Sequence, residues 1–264
     1  MDFSSYKAFL FDVDKTLTNS KKEITPRTQE MVQKLYQKYP LIGVCTGRHF
    51  VTLRSVAFPY FPSDCVHVVA GGAQVIKTDG TVLWEKLIPA QTVQEIIRFA
   101  KERNVGVVIQ TGTSFFANEK KLEGWLHNPK STIVPLPLAD FPNTDVPLVV
   151  VDDINEEIGK ELKHSDLWEA KVMHHYDGSW YADVTAHGVN KSVGVREWCT
   201  IQGIKPEEVI GFGDSETDIE FLQTVGYAVA AGNATEAVKK VADEVCGDYD
   251  HDGVAEWINT TILE

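Results

Sequence analysis

Short apolar runs alternate with amphipathic stretches over the first part of the chain. Residues 8–11 (AFLF), 41–44 (LIGV) and 66–70 (VHVVA) are strand-length apolar runs, each followed by polar or glycine residues. Between the first two, apolar residues recur at helical spacing after Thr25-Pro26, a helix cap with proline in the first turn. Such runs are typical of buried strands, and their alternation with helices predicts a parallel sheet joined by crossover helices.

The pattern changes near residue 81 and returns after residue 187. Between these points it predicts helices at 89–103 and 155–162 and strands at 82–84, 105–109, 114–117, 148–151, 171–174 and 180–184. Asp177-Gly178, between the last two strands, predicts a hairpin turn. This middle segment is typical of a small α+β module inserted into another fold.

The first pattern continues from the insertion to the end of the chain. A helix is predicted at 191–202, strands at 209–212 and 227–230, and further helices through residues 219–222 and beyond 230. The sequence therefore predicts an α/β protein in which one domain, residues 1–80 and 186–264, is interrupted by a second, residues 81–185.

Composition and charge narrow the function classes. The 264 residues are 43% apolar and 24% charged, enough for a packed core without disulfides or a structural metal. With 25 lysines and arginines against 38 aspartates and glutamates, the net charge is −13. This acidic balance argues against sequence-independent nucleic-acid binding and against docking on an anionic membrane.

Targeting signals are not visible. No apolar run approaches the ~20 residues of a membrane span, the start lacks a basic and then apolar leader, and the four cysteines have no metal-binding or redox spacing. We therefore expect a cytoplasmic protein with no nucleic-acid or membrane partner. Its oligomeric state is left open.

Carboxylates follow two of the predicted strands. Asp12 and Asp14 come directly after the first strand, and Asp214 and Asp218 follow the strand at 209–212. The carboxyl ends of parallel strands are where ligands bind in such sheets, so both acid pairs are expected in one site. Taken alone, the Asp12 and Asp14 pair is equally typical of an acidic turn with helix caps.

A threonine and a lysine extend this set. Thr46 follows the second strand, where its hydroxyl and the following amides suit an anion or a simple helix cap. Lys191 stands at a predicted helix start, where the helix dipole does not favour a lysine, which hints at a role beyond solvated surface. Acids, threonine and lysine together suit Mg²⁺ with a bound phosphate, and phosphoryl transfer through an aspartyl-phosphate.

Four segments resemble the motifs of the haloacid dehalogenase (HAD) superfamily of phosphatases. They are DVDKTL at 12–17, TGR at 46–48, Lys191, and GDSETD at 213–218. The first motif alone is moderately specific, whereas all four in order, with a cap-sized insertion between the second and third, are highly specific.

Further segments resemble the Cof-type branch of that superfamily, whose large α+β cap is inserted at this point. They are GGA at 71–73, GYAVAAGNA at 226–234 and DGVA at 252–255. The resemblance implies a Rossmann-like three-layer core with a parallel sheet, plus an inserted α+β cap domain.

The resemblance also implies roles for the acids. Asp12 would be the nucleophile that takes the phosphoryl group, and Asp14 the general acid and then the general base. Asp12, the backbone carbonyl of Asp14, and Asp214 would hold Mg²⁺, while Asp218 would support that shell through hydrogen bonds.

Phosphate and substrate contacts follow from the same resemblance. Thr46, Gly47, Arg48, Lys191 and Thr217 would bind the phosphate or the substrate, and Lys191 would also keep the nucleophile ionised. Thr46 and Lys191 thus count as catalytic. Thr16 would stabilise the loop without touching the substrate.

Three positions depart from the family pattern. Lys15 stands where glycine is usual, Thr217 where asparagine is usual, and Gly71 where asparagine often precedes Gly-Ala. The first concerns loop geometry, and the other two put one phosphate or substrate contact each in doubt.

The function implied is Mg²⁺-dependent hydrolysis of a small phosphorylated metabolite, such as a sugar phosphate, in a cap-closed site. Two alternatives stay open: a sugar phosphomutase or phosphotransferase on the same scaffold, and a non-catalytic metabolite-binding member. Five residues of the middle segment are candidates for substrate selection, although packing is the favoured interpretation of each: Trp125, His174, His175, Trp180 and Tyr181.

Overall fold

The computed structural model describes residues 2–126, 134–174 and 178–264, with only the backbone for residues 124–126. The strands are β1 (Ala8–Phe11), β2 (Leu41–Val44), β3 (Val66–Val69), β4 (Gln74–Lys77), β5 (Val82–Glu85), β6 (Gly106–Gln110), β7 (Phe115–Ala117), β8 (Leu136–Pro137), β9 (Leu148–Ile154), β10 (Trp168–His174), β11 (Trp180–Ala186), β12 (Val209–Gly213), β13 (Tyr227–Ala230) and β14 (Glu244–Val245). The α-helices are α1 (Pro26–Lys38), α2 (Phe50–Val56), α3 (Ala90–Glu102), α4 (Glu119–Leu126), α5 (Glu156–Lys163), α6 (Lys191–Gln202), α7 (Ile219–Leu222), α8 (Glu236–Val241) and α9 (Gly253–Ile258).

The chain forms two compact units. The first comprises Met1–Arg48, Leu53–Trp84 and Lys191–Glu264, and the second His49–Thr52 and Glu85–Asn190. The strand predicted at 82–84 was placed in the insertion, but β5 joins a sheet of the first unit. The apolar pattern identified the strand, but the pattern of a short strand does not show which sheet it joins.

A five-stranded sheet forms the centre of the first unit, in the order β14-β13-β12-β1-β2. Its pairs are parallel, with Phe11 opposite Phe212 on one side and Val44 on the other. The rings of Phe11 and Phe212 stack at 5.0 Å. The predicted α/β fold with a parallel core sheet is confirmed. The strand order reverses at β1, which places the ends of β1, β2 and β12 side by side.

The strand predicted at 66–70 is present, but it does not extend the parallel sheet. β3 pairs antiparallel with β4 in a small β3-β4-β5 sheet, and a single parallel bridge joins Val68 to Cys45, the residue just after β2. At Val44 a side chain takes the place of a strand-to-strand backbone bond: the backbone N–H of Val44 donates to Nδ1 of His67 at 3.1 Å. The sequence pattern identified the strand but could not show which neighbour it pairs with.

Helices cover the apolar faces of the sheets in the first unit. Thr25 caps α1, which buries Met31, Val32 and Leu35, as its spacing predicts. In α6, Trp198 is fully buried and its indole N–H donates to the carbonyl of Val66 at 2.7 Å. This bond anchors the helix that begins at Lys191.

The second unit is built on a six-stranded sheet in the order β10-β11-β9-β6-β7-β8. Its pairs are antiparallel except β7 with β8. The predicted strands at 171–174 and 180–184 pair with each other as expected and are longer than the pattern indicated; Asp177 of the hairpin signal lies outside the described residues. Helix α3 buries Val93, Ile96 and Ala100, which recur at helical spacing.

Among the residues that the structure describes, no helix is long and apolar enough to cross a membrane.

His67 provides a test of the first unit's packing. The side chain is fully buried, and burial lowers its pKa to about 3. Between this value and the ordinary pKa of about 6.5, the unfolded chain binds a proton that the folded chain does not, so stability falls as the pH falls. When the pH falls from 7 to 5, the unfolding free energy of the parent should drop by about 2 kcal/mol more than that of His67→Gln. Urea denaturation at the two pH values measures both drops.

The matched control is His251→Gln, because the His251 side chain is 85% exposed. This variant should keep the parent's pH dependence. An equal loss of stability in His67→Gln and the parent would contradict the assignment of the neutral ring.

Candidate active site

The ends of three adjacent strands bring the predicted site residues together in the first unit. Asp12 follows β1, Asp214 follows β12, and Thr46 comes two residues after β2. The backbone N–H of Asp12 donates to the carbonyl of Phe212 at 2.8 Å, so the loop after β1 starts in register with β12. Parallel pairing of β1 with β12 therefore brings Asp12 and Asp214, 202 positions apart in the chain, to one edge.

Lys191 lies at the centre of this edge. Its Nζ donates to Oδ1 of Asp12 at 2.7 Å and to Oδ1 of Asp218 at 2.5 Å. The lysine is only 4% exposed, and Asp218 is fully buried. Buried charges persist only when they are paired and hydrogen-bonded, so these three groups depend on one another.

The loop after β12 holds Asp218 in place. Oδ2 of Asp218 accepts hydrogen bonds from the backbone N–H of Asp214 and Ser215 and from the Ser215 hydroxyl, at 3.0–3.2 Å. The carboxyl group occupies the space beside Gly213, where an added Cβ would lie 2.7 Å from Cβ of Asp218. Both oxygens of Asp218 are therefore engaged within the protein.

The carboxylates of Asp12, Asp214 and Asp218 each offer an oxygen within 4.8 Å of the others. Among the described residues, Lys191 is the cation that pairs with Asp12 and Asp218, so the cluster has more negative than positive charge. Oxygen-rich, acidic sites of this kind suit hard divalent cations such as Mg²⁺. The donor set therefore fits a hard divalent cation such as the one that the resemblance implies.

Electrostatics within the cluster match this composition. Burial, together with repulsion from the neighbouring acids, raises the pKa of Asp12 well above its usual value despite Lys191. Burial and the charge of Asp218 raise the pKa of Asp214 to about 7. Burial alone would lower the pKa of Lys191, but Asp12 and Asp218 outweigh it and hold that pKa well above the ordinary value. A positive ion would offset the repulsion that raises the pKa of Asp12 and of Asp214.

Asp14 stands apart from the carboxylate cluster. Nε and one terminal nitrogen of Arg48 donate to its two oxygens at 2.6 and 2.7 Å, a two-pronged pair. Burial would raise the pKa of Asp14, but the hydrogen bonds and charge of Arg48 prevail and lower it. Arg48 was expected to contact phosphate or substrate; here its guanidinium binds Asp14.

The remaining expected phosphate contacts lie beside the cluster. Thr46 is buried, and its hydroxyl accepts the backbone N–H of Arg48 at 3.1 Å across Gly47. The hydroxyl of Thr217 bonds to that of Ser215 at 2.8 Å. Thr16, assigned to loop stability, donates its hydroxyl to Oδ1 of Asp214 at 3.4 Å.

Two family departures have structural explanations. Lys15 has a φ of +61°, a left-handed conformation that glycine adopts readily and that costs other residues about 1–2 kcal/mol. Gly71 has a φ of +66°, and its own backbone N–H donates to the carbonyl of Thr46. The turn at Gly71 therefore supports the loop that carries Thr46 through a backbone hydrogen bond.

The substrate-selection candidates lie in the second unit. The rings of His174 and Trp180 meet at 4.2 Å across the β10–β11 pair, and the Tyr181 hydroxyl contacts Sδ of Met173 at 3.5 Å. These contacts are packing contacts, the interpretation favoured from the sequence. His175 and the side chain of Trp125 lie outside the described residues.

Sequence reasoning gave no role to two residues that the site uses, Ser215 and Asn233. Ser215 binds Asp218, and Asn233 donates to the carbonyl of Lys15 at 3.0 Å. A signal for Asn233 was present, because it is a polar residue just beyond the carboxyl end of β13, on the same edge of the parallel sheet.

The whole site lies within a region shared with a known family. The profile of the haloacid dehalogenase-like hydrolases matches residues 9–258, so the chain belongs to this family. The match includes both segments of the first unit that contribute site residues, and the HAD resemblance drawn from the motifs is confirmed.

Named relatives of this chain are phosphatases. The chain is 25% identical over 258 residues, 94% of each protein, to 5-amino-6-(5-phospho-D-ribitylamino)uracil phosphatase YitU of Bacillus subtilis. It is 26% identical to pyridoxal phosphate phosphatase YbhA of Escherichia coli, covering 97% of this chain and 99% of the relative. Among solved structures, the HAD subclass IIB sugar phosphatase BT4131 matches with a TM-score of 0.79 at 26% identity, covering 96% of this chain and 98% of that one.

The dependence of the site on Lys191 can be measured as stability. We expect Lys191→Met to lower the unfolding free energy by about 3–5 kcal/mol, because it leaves buried carboxylates without their positive partner. Urea denaturation without divalent cations measures the change.

Lys34→Met is the control, since Lys34 forms an exposed pair with Glu30 at 2.8 Å. That variant should change stability by less than about 1 kcal/mol. Equal losses in the two variants would show that Lys191 does not balance the cluster.

Proposed function

We propose that this protein hydrolyses small phosphate monoesters with Mg²⁺ through an aspartyl-phosphate on Asp12. The observation that carries the proposal is the buried Lys191 shared between Asp12 and Asp218, at the edge where the parallel strands end. Lys191 engages Oδ1 of Asp12, and Oδ2 accepts no hydrogen bond from the residues that the structure describes. One oxygen is thus held in an ion pair while the other can attack phosphorus.

Asp12, Asp214 and the backbone carbonyl of Asp14 would hold Mg²⁺, with Asp218 supporting Asp214 and Lys191. When bound, Mg²⁺ would supply positive charge that offsets the carboxylates and the phosphate. Lys191 and the hydroxyl of Thr46 would bind phosphoryl oxygens, together with the backbone of Gly47.

Two steps complete the proposed reaction. In the first, an oxygen of Asp12 bonds to phosphorus, the bond from phosphorus to the leaving oxygen breaks, and Asp14 gives that oxygen a proton. In the second, Asp14 takes a proton from water as the water oxygen bonds to phosphorus, and the bond from Asp12 breaks to release phosphate.

Arg48 enters this sequence through Asp14. Asp14 can deliver a proton only when one of its oxygens is released from the Arg48 guanidinium. An arriving phosphate is a competing anion for that guanidinium, since arginine binds carboxylate and phosphate with the same fork. Substrate binding would therefore move the Arg48 guanidinium from Asp14 to the phosphate. Thr217 would be a weaker polar contact for the phosphate.

The substrate class is proposed to be a sugar phosphate or a similar metabolite. A relative named for a phosphoribityl compound, another named for pyridoxal phosphate, and a sugar phosphatase fold neighbour support this choice. The acidic chain, with a net charge of −13, does not favour a polyanionic substrate such as nucleic acid. We also propose that the protein acts in the cytoplasm.

A screen of phosphate release over many phosphorylated metabolites, with Mg²⁺ and with a chelator, tests the proposal. Release of free phosphate that needs Mg²⁺ supports it. Isomerised sugar phosphate without free phosphate would instead indicate a phosphomutase. Metabolite binding with no turnover would indicate a non-catalytic member.

The nucleophile has its own test. We expect Asp12→Asn to lower kcat by at least about 10³-fold, because the amide is a far weaker nucleophile than the carboxylate. Asp166→Asn, at an exposed position in the second unit, should keep the parent's kcat. Circular dichroism should report a folded protein for both, and appreciable Mg²⁺-dependent activity in Asp12→Asn would refute the assignment.

A further inference from the structure

Asn233 connects two loops of the site although it belongs to neither. Its Nδ2 donates to the backbone carbonyl of Lys15 at 3.0 Å and contacts Oδ2 of Asp214 at 3.4 Å. Lys15 belongs to the loop after β1, and Asp214 begins the loop after β12. One amide therefore links the loop of the proposed nucleophile to a proposed metal ligand.

Chemistry fixes the orientation of this amide. Both neighbours of Nδ2 are acceptors, a carbonyl oxygen and a carboxylate oxygen. The amide oxygen of Asn233 could accept from neither, so only the NH₂ group can face them. The orientation is thus dictated by the two acceptors.

Both contacts act on groups that need positioning. Lys15 is in the left-handed region at a φ of +61°, which is unfavourable for a residue with a side chain. Its carbonyl directly follows the Asp14 carbonyl, a proposed metal ligand. At Asp214, Thr16 donates to Oδ1 and Asn233 to Oδ2, both at 3.4 Å, so each carboxylate oxygen has its own donor.

The backbone around Asn233 is held independently of its side chain. The N–H of Ala231 donates to the carbonyl of Gly213, and the N–H of Thr235 to the carbonyl of Asp214, both at 3.0 Å. Truncating Asn233 therefore leaves the segment attached to the end of β12. What the truncation removes is the link to Lys15 and to the Asp214 carboxylate.

We propose that Asn233 is a positioning residue for the cation site, holding the Lys15 carbonyl and the Asp214 carboxylate in the arrangement that binds Mg²⁺. This inference rests on the proposed function, because it assumes that Asp214 is a metal ligand. Groups that orient metal ligands commonly change metal affinity by 10–100-fold when they are removed.

The experiment measures Mg²⁺ binding without substrate. Calorimetric titration of Asn233→Ala should give a Kd about 10–100-fold weaker than that of the parent. At saturating Mg²⁺, KM for a phosphate ester should change by less than about 3-fold, because Asn233 contacts no proposed phosphate-binding group. Asn233→Ser, whose side chain is too short to span both acceptors, should weaken Mg²⁺ binding in the same way and serves if the alanine variant does not fold.

Thr235→Ala is the matched control from the same segment. The Thr235 hydroxyl caps α8 by accepting the N–H of Val238 at 3.4 Å, and it contacts no proposed ligand. Its loss should lower the unfolding midpoint while Kd for Mg²⁺ stays within about 2-fold of the parent. This pattern, opposite to that of Asn233→Ala, separates positioning from general loosening of the segment.

The outcomes distinguish this inference from the proposed function. If the parent binds Mg²⁺ and Asp214→Asn abolishes binding, but both Asn233 variants bind as the parent does, the positioning role is overturned and the proposed function stands. Equal weakening in Thr235→Ala and Asn233→Ala also overturns it. A parent that binds no Mg²⁺ overturns both.

Discussion

The buried pairing of Lys191 with Asp12 and Asp218 is the constraint on which the rest of the site depends. A lysine that is 4% exposed, between two carboxylates that are also buried, is stable only while all three groups are present. The helix α6 must therefore begin where Nζ can reach both acids. The anchoring of this helix by Trp198 on the carbonyl of Val66 keeps that start in place.

The parallel sheet supplies the other half of this geometry. Because the strand order reverses at β1, the loops after β1, β2 and β12 are immediate neighbours. Two specific bonds tie these loops to their neighbours, Arg48 on Asp14 and Asn233 on Lys15, and Ser215 holds Asp218 within the loop after β12. The site residues thus lie on loops that extend from the strands of the sheet and are joined by hydrogen bonds. These constraints keep the polar groups pre-organised.

Charge explains why so many polar groups are gathered there. Three close carboxylates exceed the one lysine, and the pKa of Asp12 and that of Asp214 are both raised. Such an arrangement is unfavourable without a counter-charge, and a bound cation would offset the excess negative charge. Asp14 is paired with Arg48, which lowers its pKa, so two neighbouring acids have different chemical environments.

The sequence by itself determined the α/β fold, the core strands with their helices, and the set of polar residues at the strand ends, because these depend on local periodicity and on position after a strand. It could not determine that β3 pairs antiparallel, that β5 joins the first unit, or that Asn233 reaches Lys15. It also could not determine that Arg48 binds Asp14. These features depend on which segments, far apart in the sequence, come into contact. Such contacts produce no periodic pattern of apolar and polar residues from which they could be predicted. Only the tertiary structure decided them, because side-chain hydrogen bonds form between groups whose separation the fold sets.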